Sequence, residues 1–265
     1  MGAGAARGVW SQRRAAIRGL VLAVACVACA AAVAVLVRLP DLPGEEKAVA
    51  AFSTSLSGRT RSQVHNVQLA LMALNGTLIR PGEEFSFNRT VGPWTVDRGY
   101  RRAPVSYSGE MVRDWGGGVC QASTTLYNAA LLAGLPVLER HRHHWPATYV
   151  PPGRDAAVAY PSIDLRFRNS LASPIRITAR VAGESVVVRL HSRERPPQVR
   201  VEREIMAVAQ PATVMCLGPS PTGRAPNRGQ AGCEVAVYRV WRGAGERWEF
   251  VSRDTYPPQN RLVWR

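Results

Sequence analysis

The chain has 265 residues, of which 46% are hydrophobic, and a formal net charge of +15. This composition excludes an intrinsically disordered chain, and the length suffices for one large domain or one domain with a smaller companion. The excess of arginine suggests attraction to polyanions, but the arginines are spread over the whole chain. Nucleic-acid-binding proteins usually carry a clustered basic patch, so we expect no nucleic-acid partner.

The N-terminus combines a basic tail, residues 1–18, with an uncharged apolar run in residues 19–38. As a helix that rises about 1.5 Å per residue, the run GLVLAVACVACAAAVAVLV would be about 28 Å long, close to the ~30 Å bilayer core. Basic residues precede the run and acidic residues follow it, so the N-terminus should be cytoplasmic and the rest of the chain outside. We predict a single-pass signal anchor in the lipid bilayer, with a cleaved signal peptide as the alternative.

Three further regions follow the apolar run. Residues 39–50 are predicted to form a linker, residues 51–195 a main domain, and residues 196–265 a β-rich extension. The main domain should begin with a helix, because RSQVHNVQLALMALNGT carries apolar residues at helical spacing. We expect Ser62 to cap this helix and Gly76 to end it. Frequent turn signals after it predict loops and short strands.

Three consecutive glycines, Gly116–Gly118, precede a second predicted helix, Val119–Ala133, which Gly134 should end. Cys120 lies beside the expected core-facing stripe, in line with Thr124, Tyr127 and Leu131, so a reactive and polar stripe is predicted to border the buried one. The predicted core-facing residues of this helix are Val119, Ala122, Leu126, Ala130 and Ala133.

After the second helix the pattern changes to strands. PVLERHRHHWPATYV and AAVAYPSIDLRFRN flank a turn at PPGRD, and IRITARVA and SVVVRLHS should form a hairpin. We therefore predict an α+β fold in which the helix with the N-terminal cysteine packs on an antiparallel sheet. An N-terminal transmembrane helix and a small C-terminal β module should complete the chain.

Five cysteines divide into two groups. Cys26 and Cys29 lie in the apolar run and should be apolar filler. Cys216 and Cys233 flank a loop rich in proline and glycine, and an exported domain would allow a disulfide between them. This pairing would leave Cys120 as a free thiol.

Two histidines should lie close to Cys120. A strand that returns antiparallel to the helix, at ~3.3 Å per residue, regains the level of the cysteine after about seven residues, near His141. His143 lies on the same strand face because side chains alternate with a period of two, whereas His144 points the other way. The sequence therefore predicts an imidazole beside the thiol.

Two aspartates are candidates for the third position. If the turn is centred near Pro152, His141 and His143 oppose Ile163 and Pro161 on the next strand. Asp164 is then adjacent to the level of the histidines, whereas Asp155 pairs close to the turn. Asp164 is thus the expected partner of a histidine. The predicted catalytic residues are Cys120, His143, His141, Asp164 and Asp155.

This set of residues would suit nucleophilic catalysis. A helix N-terminus and a neighbouring histidine both favour the thiolate form of a cysteine, and an aspartate would fix the histidine tautomer. Backbone N–H groups near the glycine run could bind an oxyanion, so the pattern predicts amide cleavage or transfer through a thioester. The candidate binding residues are Gly117, Gly118, Gln121, Thr124 and Arg154, the last suiting a substrate carboxylate.

The segments PGEEFSFN, GGGVCQASTTLYNAALLAGL, ERHRHHWPATYVPPGRDAAVAY and DLRFRN resemble the VanW family over about residues 50–195. The resemblance implies an exported or membrane-anchored bacterial protein linked with glycopeptide (vancomycin) resistance, for which peptidoglycan or its precursors are the accessible candidate partner. The family usually reads His-x-His-Ser where this chain has His141-Arg142-His143-His144, which leaves the acting histidine open. The order of cysteine, histidine and aspartate is similar to that of transglutaminase-like and papain-like enzymes.

Other interpretations of the same residues stay open. A free cysteine at a contact between helix and sheet is commonly a small buried hydrophobe, and the glycines can serve close packing alone. Cys120, His141 and His143 are acceptable zinc ligands but lack the spaced ligand pairs of zinc signatures, so we predict no metal and no cofactor. The alternative to a thiol enzyme is a non-catalytic envelope-binding or accessory module.

Overall fold

The computed structural model describes residues 46–107, 110–194, 198–218, 229–243 and 245–264. The predicted basic tail, 1–18, and signal anchor, 19–38, lie outside these ranges. In the part of the chain that is described, no helix combines the length and the apolar character needed to cross a bilayer.

The described chain is a mixed structure of helices and strands in which strands predominate. The helices are α1 (Arg61–Leu74), α2 (Phe87–Val91) and α3 (Val119–Leu132). The strands are β1 (Lys47–Ser55), β2 (Leu78–Ile79), β3 (Glu84–Ser86), β4 (Arg102–Tyr107), β5 (Glu110–Trp115), β6 (Val137–Glu139), β7 (Arg166–Arg168), β8 (Ile175–Ala182), β9 (Ser185–Ser192), β10 (Gln198–Ala209), β11 (Thr213–Cys216), β12 (Gly232–Arg242), β13 (Glu246–Tyr256) and β14 (Arg261–Trp264).

Helix α1 begins with a capping box. The Thr60 hydroxyl accepts a hydrogen bond from the Gln63 backbone N–H, and the Gln63 side chain accepts one from the Thr60 N–H. Each bond satisfies a backbone donor that the first helical turn leaves free. The prediction of Ser62 as the cap was wrong by two residues, because Ser62 already lies within the helix.

Helix α3 follows a glycine run that leaves no space for side chains. A Cβ on Gly117 would lie 2.6 Å from the Pro104 carbonyl oxygen, and one on Gly118 would lie 2.6 Å from the Gln63 carbonyl oxygen. Gly118 also adopts a left-handed φ of 110°, which side chains disfavour. The glycines therefore let the start of α3 pass directly against α1 and β4.

The predicted core-facing stripe of α3 is buried, but so is most of the rest of the helix. Thr124, Tyr127 and Leu131, predicted to border the core, are each at most 1% exposed. The helix contacts β1, β9, β10 and α1, and these elements surround it. The predicted polar stripe is therefore an interior surface.

Strands β1, β9, β8 and β2 form a four-stranded antiparallel sheet in that order. The β8–β9 hairpin lies where IRITARVA and SVVVRLHS predict it. Strand β1 includes the last residues of the predicted 39–50 linker, because the chain pairs with β9 from Lys47 onward. The inner face of the sheet, α1 and α3 share the main hydrophobic core.

The histidine-bearing segment differs from its prediction. Strand β6 ends at Glu139, so His141 and His143 are not on one continuous strand, and His141 forms an isolated bridge with Ala157. A separate small turn, closed by the bridge between Ala159 and Ile163, takes up residues that the prediction placed in the pairing strand. The predicted pairing of His141 with Ile163 was therefore wrong.

The C-terminal strands pack against the main domain. Strands β10, β12 and β13 form one sheet, and β11 and β14 pair in parallel. The Arg239 guanidinium donates to the Leu135 carbonyl over 2.7 Å, and a Cβ on Gly153 would meet the Val237 side chain at 2.6 Å. The described residues from Glu46 onward thus pack as one compact unit. Both cysteines of the predicted Cys216–Cys233 disulfide are free thiols in this structure.

Candidate active site

Cys120 is the second residue of α3 and is partly exposed. Its Sγ lies 3.4 Å from the carbonyl oxygen of Val158 and 3.5 Å from the N–H nitrogen of the same residue. At this position the thiol lies next to the positive end of the helix dipole. The helix start therefore favours a negative charge on the sulfur.

His143 lies between Cys120 and Asp155. Its Nδ1 is 2.7 Å from Asp155 Oδ2, and the same oxygen accepts a hydrogen bond of 2.7 Å from the His143 backbone N–H. The imidazole lies close enough to the Cys120 thiol to lower the pKa of that thiol. Since Asp155 occupies Nδ1, Nε2 is the ring nitrogen left for the thiol, and Cys120, His143 and Asp155 form one set of interacting groups.

The three groups shift one another's protonation. Burial raises the pKa of the Cys120 thiol, but the hydrogen bond and charge of His143 outweigh it and lower that pKa below its usual value. Burial lowers the pKa of His143, but its bonds to Asp155 and Cys120 raise that pKa to about 10. Burial raises the pKa of Asp155, yet His143 and Arg140 bring it down to about 2. Near neutral pH the arrangement favours a thiolate beside an imidazolium.

The second oxygen of Asp155 is also held. Tyr256 Oη donates to Oδ1 over 2.5 Å, and Arg140 Nη2 lies 3.1 Å from the same atom. Arg140 is itself bound by Asp254, whose two oxygens lie 2.6 and 2.7 Å from Arg140 Nη1. The Asp155 carboxylate therefore has a defined orientation toward His143.

Two predicted catalytic residues, His141 and Asp164, do not contact Cys120, His143 or Asp155 through any hydrogen bond of the described residues. His141 is exposed, and its Nε2 is 3.1 Å from Glu139 Oε1. Asp164 accepts hydrogen bonds from Ser86 Oγ over 2.5 Å and from the Asn88 N–H over 2.8 Å, so it holds the start of the short helix α2. The prediction that Asp164 reaches a histidine was wrong, because the small turn before it moves it out of register.

Three predicted binding residues hold the interior together. Gln121 Nε2 donates to the Ser55 carbonyl over 2.7 Å, fixing α3 to β1. Thr124 Oγ1 accepts from the Ala156 N–H over 2.9 Å. Arg154 Nε donates to Asn128 Oδ1 over 2.5 Å, and burial lowers the pKa of Arg154 to about 10. These contacts are structural and leave no evident role in substrate binding.

Gly117 and Gly118 serve close packing, as described above for the start of α3, and they bring the backbone to Cys120. The first-turn N–H groups of a helix have no intrahelical acceptor four residues before them. The N–H of Val119 bonds to the Gly116 carbonyl over 2.9 Å and that of Gln121 to the Gly118 carbonyl over 2.9 Å. The N–H of Cys120 lies between these two, next to its own thiol, and is the candidate oxyanion donor.

The residues that the sequence did not reveal are Arg140, Asp254, Tyr256 and Tyr149. Burial and the Cys120 charge both raise the pKa of Tyr149, so its phenol lies near the thiol. Arg140 was visible as a basic residue next to His141, but its partner Asp254 is far away in sequence. Nothing local in the sequence points to Tyr256.

Two other features of the described residues lie apart from the site. A crevice of about 430 Å³ is lined by residues of β1, the end of α3, β10 and the end of β12. Cys120, His143 and Asp155 do not line it. Within the described ranges, no group of three or more His, Cys, Asp or Glu side chains is placed to hold a metal ion.

The part of the chain that contains the site is similar to known proteins. A family described as VanW like protein matches residues 62–191. The chain is 40% identical over 141 residues to the uncharacterized protein YoaR of Bacillus subtilis, covering 53% of this chain and 46% of YoaR. It is 31% identical over 140 residues to the vancomycin B-type resistance protein VanW of Enterococcus faecalis, covering 51% of each chain.

The chain thus spans about half the length of these curated relatives. No solved structure matches it. The family match includes Cys120, His143 and Asp155, whereas β10 to β14 lie beyond it. Residues 62–191 therefore form a domain of the VanW family.

Proposed function

We propose that the chain is a cysteine-dependent amide hydrolase or acyltransferase of the cell envelope. The observation that carries the proposal is the grouping of Cys120, His143 and Asp155, in which the carboxylate binds Nδ1 and leaves the other ring nitrogen for the neighbouring thiol. Such an order of nucleophile, base and orienting carboxylate supports thiol catalysis on several unrelated folds.

The arrangement is suited to a two-step reaction. The Cys120 thiolate attacks the amide carbonyl carbon, and the carbonyl electron pair moves to oxygen, where the Cys120 N–H would stabilise the oxyanion. The C–N bond then breaks, and the His143 imidazolium gives its proton to the departing amine, leaving a thioester. Neutral His143 next takes a proton from water or from an acceptor amine, which attacks the thioester and releases the thiolate.

Asp155 contributes by keeping the imidazole in one orientation and one tautomer. Its bond to Nδ1 leaves Nε2 as the nitrogen that exchanges protons with the substrate. A second bond from the same carboxylate oxygen to the His143 N–H also fixes the backbone that carries the ring. The base is thus held by both its side chain and its main chain.

The proposed substrates are peptides of peptidoglycan or of its precursors. The expected signal anchor at residues 19–38 would tether the domain to the bacterial cell membrane and place it outside, where such peptides are accessible. The VanW-family domain, one relative of which is named as a vancomycin resistance protein, supports an envelope setting.

The test compares the 265-residue chain with its Cys120→Ser variant on purified peptidoglycan stem peptides, with mass spectrometry to detect cleaved or exchanged amides. We expect the variant to lose the activity and keep the fold, because serine removes the thiolate and preserves the shape. An independent readout is iodoacetamide labelling near pH 7, in which Cys120 should react faster than Cys233, because burial raises the pKa of Cys233.

The rival candidate is a non-catalytic envelope-binding or accessory module in which Cys120 is structural. The contacts of the Cys120 sulfur with the Val158 backbone, at 3.4 and 3.5 Å, favour it, since they also suit a packed thiol. Two results together would favour this module over the enzyme. Cys120 would resist alkylation near neutral pH in the folded chain, and Cys120→Ser would keep full function in cells.

A further inference from the structure

The carboxylate that orients His143 depends on residues from the opposite end of the chain. Asp155 is fully buried, and its Oδ1 accepts hydrogen bonds from Tyr256 Oη and from Arg140 Nη2. Tyr256 and Asp254, the partner of Arg140, both lie on strand β13. Residues 62–191, the part of the chain that the VanW family matches, include Asp155 and Arg140. They include neither Tyr256 nor Asp254.

We infer that strand β13 completes the active site, with Tyr256 and Asp254 acting as positioning residues through Asp155. The inference rests on the proposed function, since it concerns the same cysteine, histidine and aspartate. Tyr256 fixes Oδ1 directly, and Asp254 fixes Arg140, whose guanidinium holds the same oxygen. Together they direct Oδ2 to His143.

The geometry favours positioning over simple packing. The Tyr256 hydroxyl accepts from the Gly153 N–H over 2.8 Å, so its own proton is directed to Asp155. Gly153 lies two residues before Asp155, which means that one phenol holds both the carboxylate and the backbone that carries it. Strand β13 thereby holds both the Asp155 carboxylate and, through the Gly153 N–H, the backbone that precedes it.

Three titratable side chains bond to the Asp155 carboxylate, and Cys120, Tyr127 and Tyr149 lie within range of its charge. His143 faces it from the segment after β6, Arg140 faces it from the same segment, and Tyr256 faces it from β13. Arg140 is buried between Asp155 and Asp254, with 7% of its side chain exposed. A buried charge of this kind is stable when its partners keep it paired. Loss of a β13 partner should therefore change the environment of Asp155 and, through His143, the thiol.

The test is the pH dependence of Cys120 alkylation by iodoacetamide, measured on the tryptic peptide Asp114–Arg140, in which Cys120 is the one cysteine. Tyr256→Phe keeps the ring and removes the hydroxyl donor. We expect the midpoint of its labelling profile to rise by about one pH unit while the rate at pH 10 is unchanged. A less firmly oriented Asp155 holds the imidazolium beside the thiolate less well, and a lost bond to a charged group is worth about one pKa unit.

The matched control is Tyr238→Phe, which removes a phenol from the same sheet, where Tyr238 packs against Trp248 and Phe250. Its labelling profile should equal that of the unaltered chain. In an Asp155→Asn background, Tyr256→Phe should add little further change, since Tyr256 acts through Asp155. A structural role would instead leave the two effects additive.

Should Tyr256→Phe unfold, as judged by circular dichroism, Asp254→Asn replaces it. The midpoint of its labelling profile should rise by about half a pH unit, because Arg140 is then held less firmly. A folded Tyr256→Phe whose profile matches the unaltered chain, or a Tyr238→Phe that shifts equally, overturns the inference and leaves the proposed function standing. If Cys120 of the unaltered chain reacts only near pH 9, the proposed function fails first, and this inference fails with it.

Discussion

Asp155 and Asp164 are two buried carboxylates with similar surroundings and different roles. Their exposed fractions are 0% and 8%, and each accepts a hydroxyl hydrogen bond of 2.5 Å, from Tyr256 and Ser86 respectively. Each also accepts a backbone N–H, at 2.7 Å for Asp155 and 2.8 Å for Asp164. Burial and hydrogen bonding alone therefore do not distinguish a site residue from a structural one.

The difference lies in the charge of the partners. Asp155 contacts the side chains of His143 and Arg140, which can both be cationic, and these lower its pKa to about 2. The donors to Asp164 are a hydroxyl and the backbone N–H groups of Asn88 and Leu165, arranged around the first turn of α2. One carboxylate orients a titratable ring, and the other satisfies a helix start.

The largest expected effect comes from Asp155→Asn. A neutral amide cannot stabilise the imidazolium and can donate to Nδ1, which selects the wrong tautomer, so the thiolate loses its partner. We expect the midpoint of Cys120 labelling by iodoacetamide to rise by about two pH units. A labelling profile identical to that of the unaltered chain would remove Asp155 from the site.

The choice between the two aspartates shows what could be predicted from sequence. The β8–β9 hairpin and the extent of α3 follow from local periodicity and turn residues, and the structure contains both close to the predicted bounds. The level of Asp164 depends on whether the chain between it and His141 runs straight. The chain does not run straight there, because Ala159 and Ile163 close a small turn. No local sequence pattern predicts this turn.

Long-range packing explains the remaining errors. Gln121 and Thr124 are predicted to bind substrate, but their side chains bond to Ser55 of β1 and to the Ala156 backbone. The sequence does not point to Tyr256, since it reaches Asp155 only through the packing of β13 on the main domain. Side chains that meet across separate sheets leave no periodic signal in the sequence.

The second expected effect is on stability in acid. Because the pKa of Asp155 is lowered to about 2, its ionised form stabilises the fold above the unfolded pKa near 3.8, and this stabilisation is lost as the pH falls through about 2. We expect the free energy of unfolding to drop by about 2 kcal/mol more in the unaltered chain than in Asp155→Asn between pH 5 and 2. Urea denaturation at each pH measures it, and parallel curves for the two proteins would contradict the ionic environment of Asp155.

The smallest expected effect is that of Asp164→Asn, and it tests the comparison from the other side. The amide oxygen can still accept from one backbone N–H but loses the charge that favours several donors at the start of α2, so the free energy of unfolding should fall by about 1 kcal/mol. The Cys120 labelling profile should stay unchanged, because the Asp164 contacts involve α2 and Leu165 and not His143. Urea denaturation and labelling on the same sample separate the two outcomes. A shift of the labelling profile as large as that of Asp155→Asn would mean that Asp164 also acts on the thiol, and the distinction drawn from the charge of the partners would then fail.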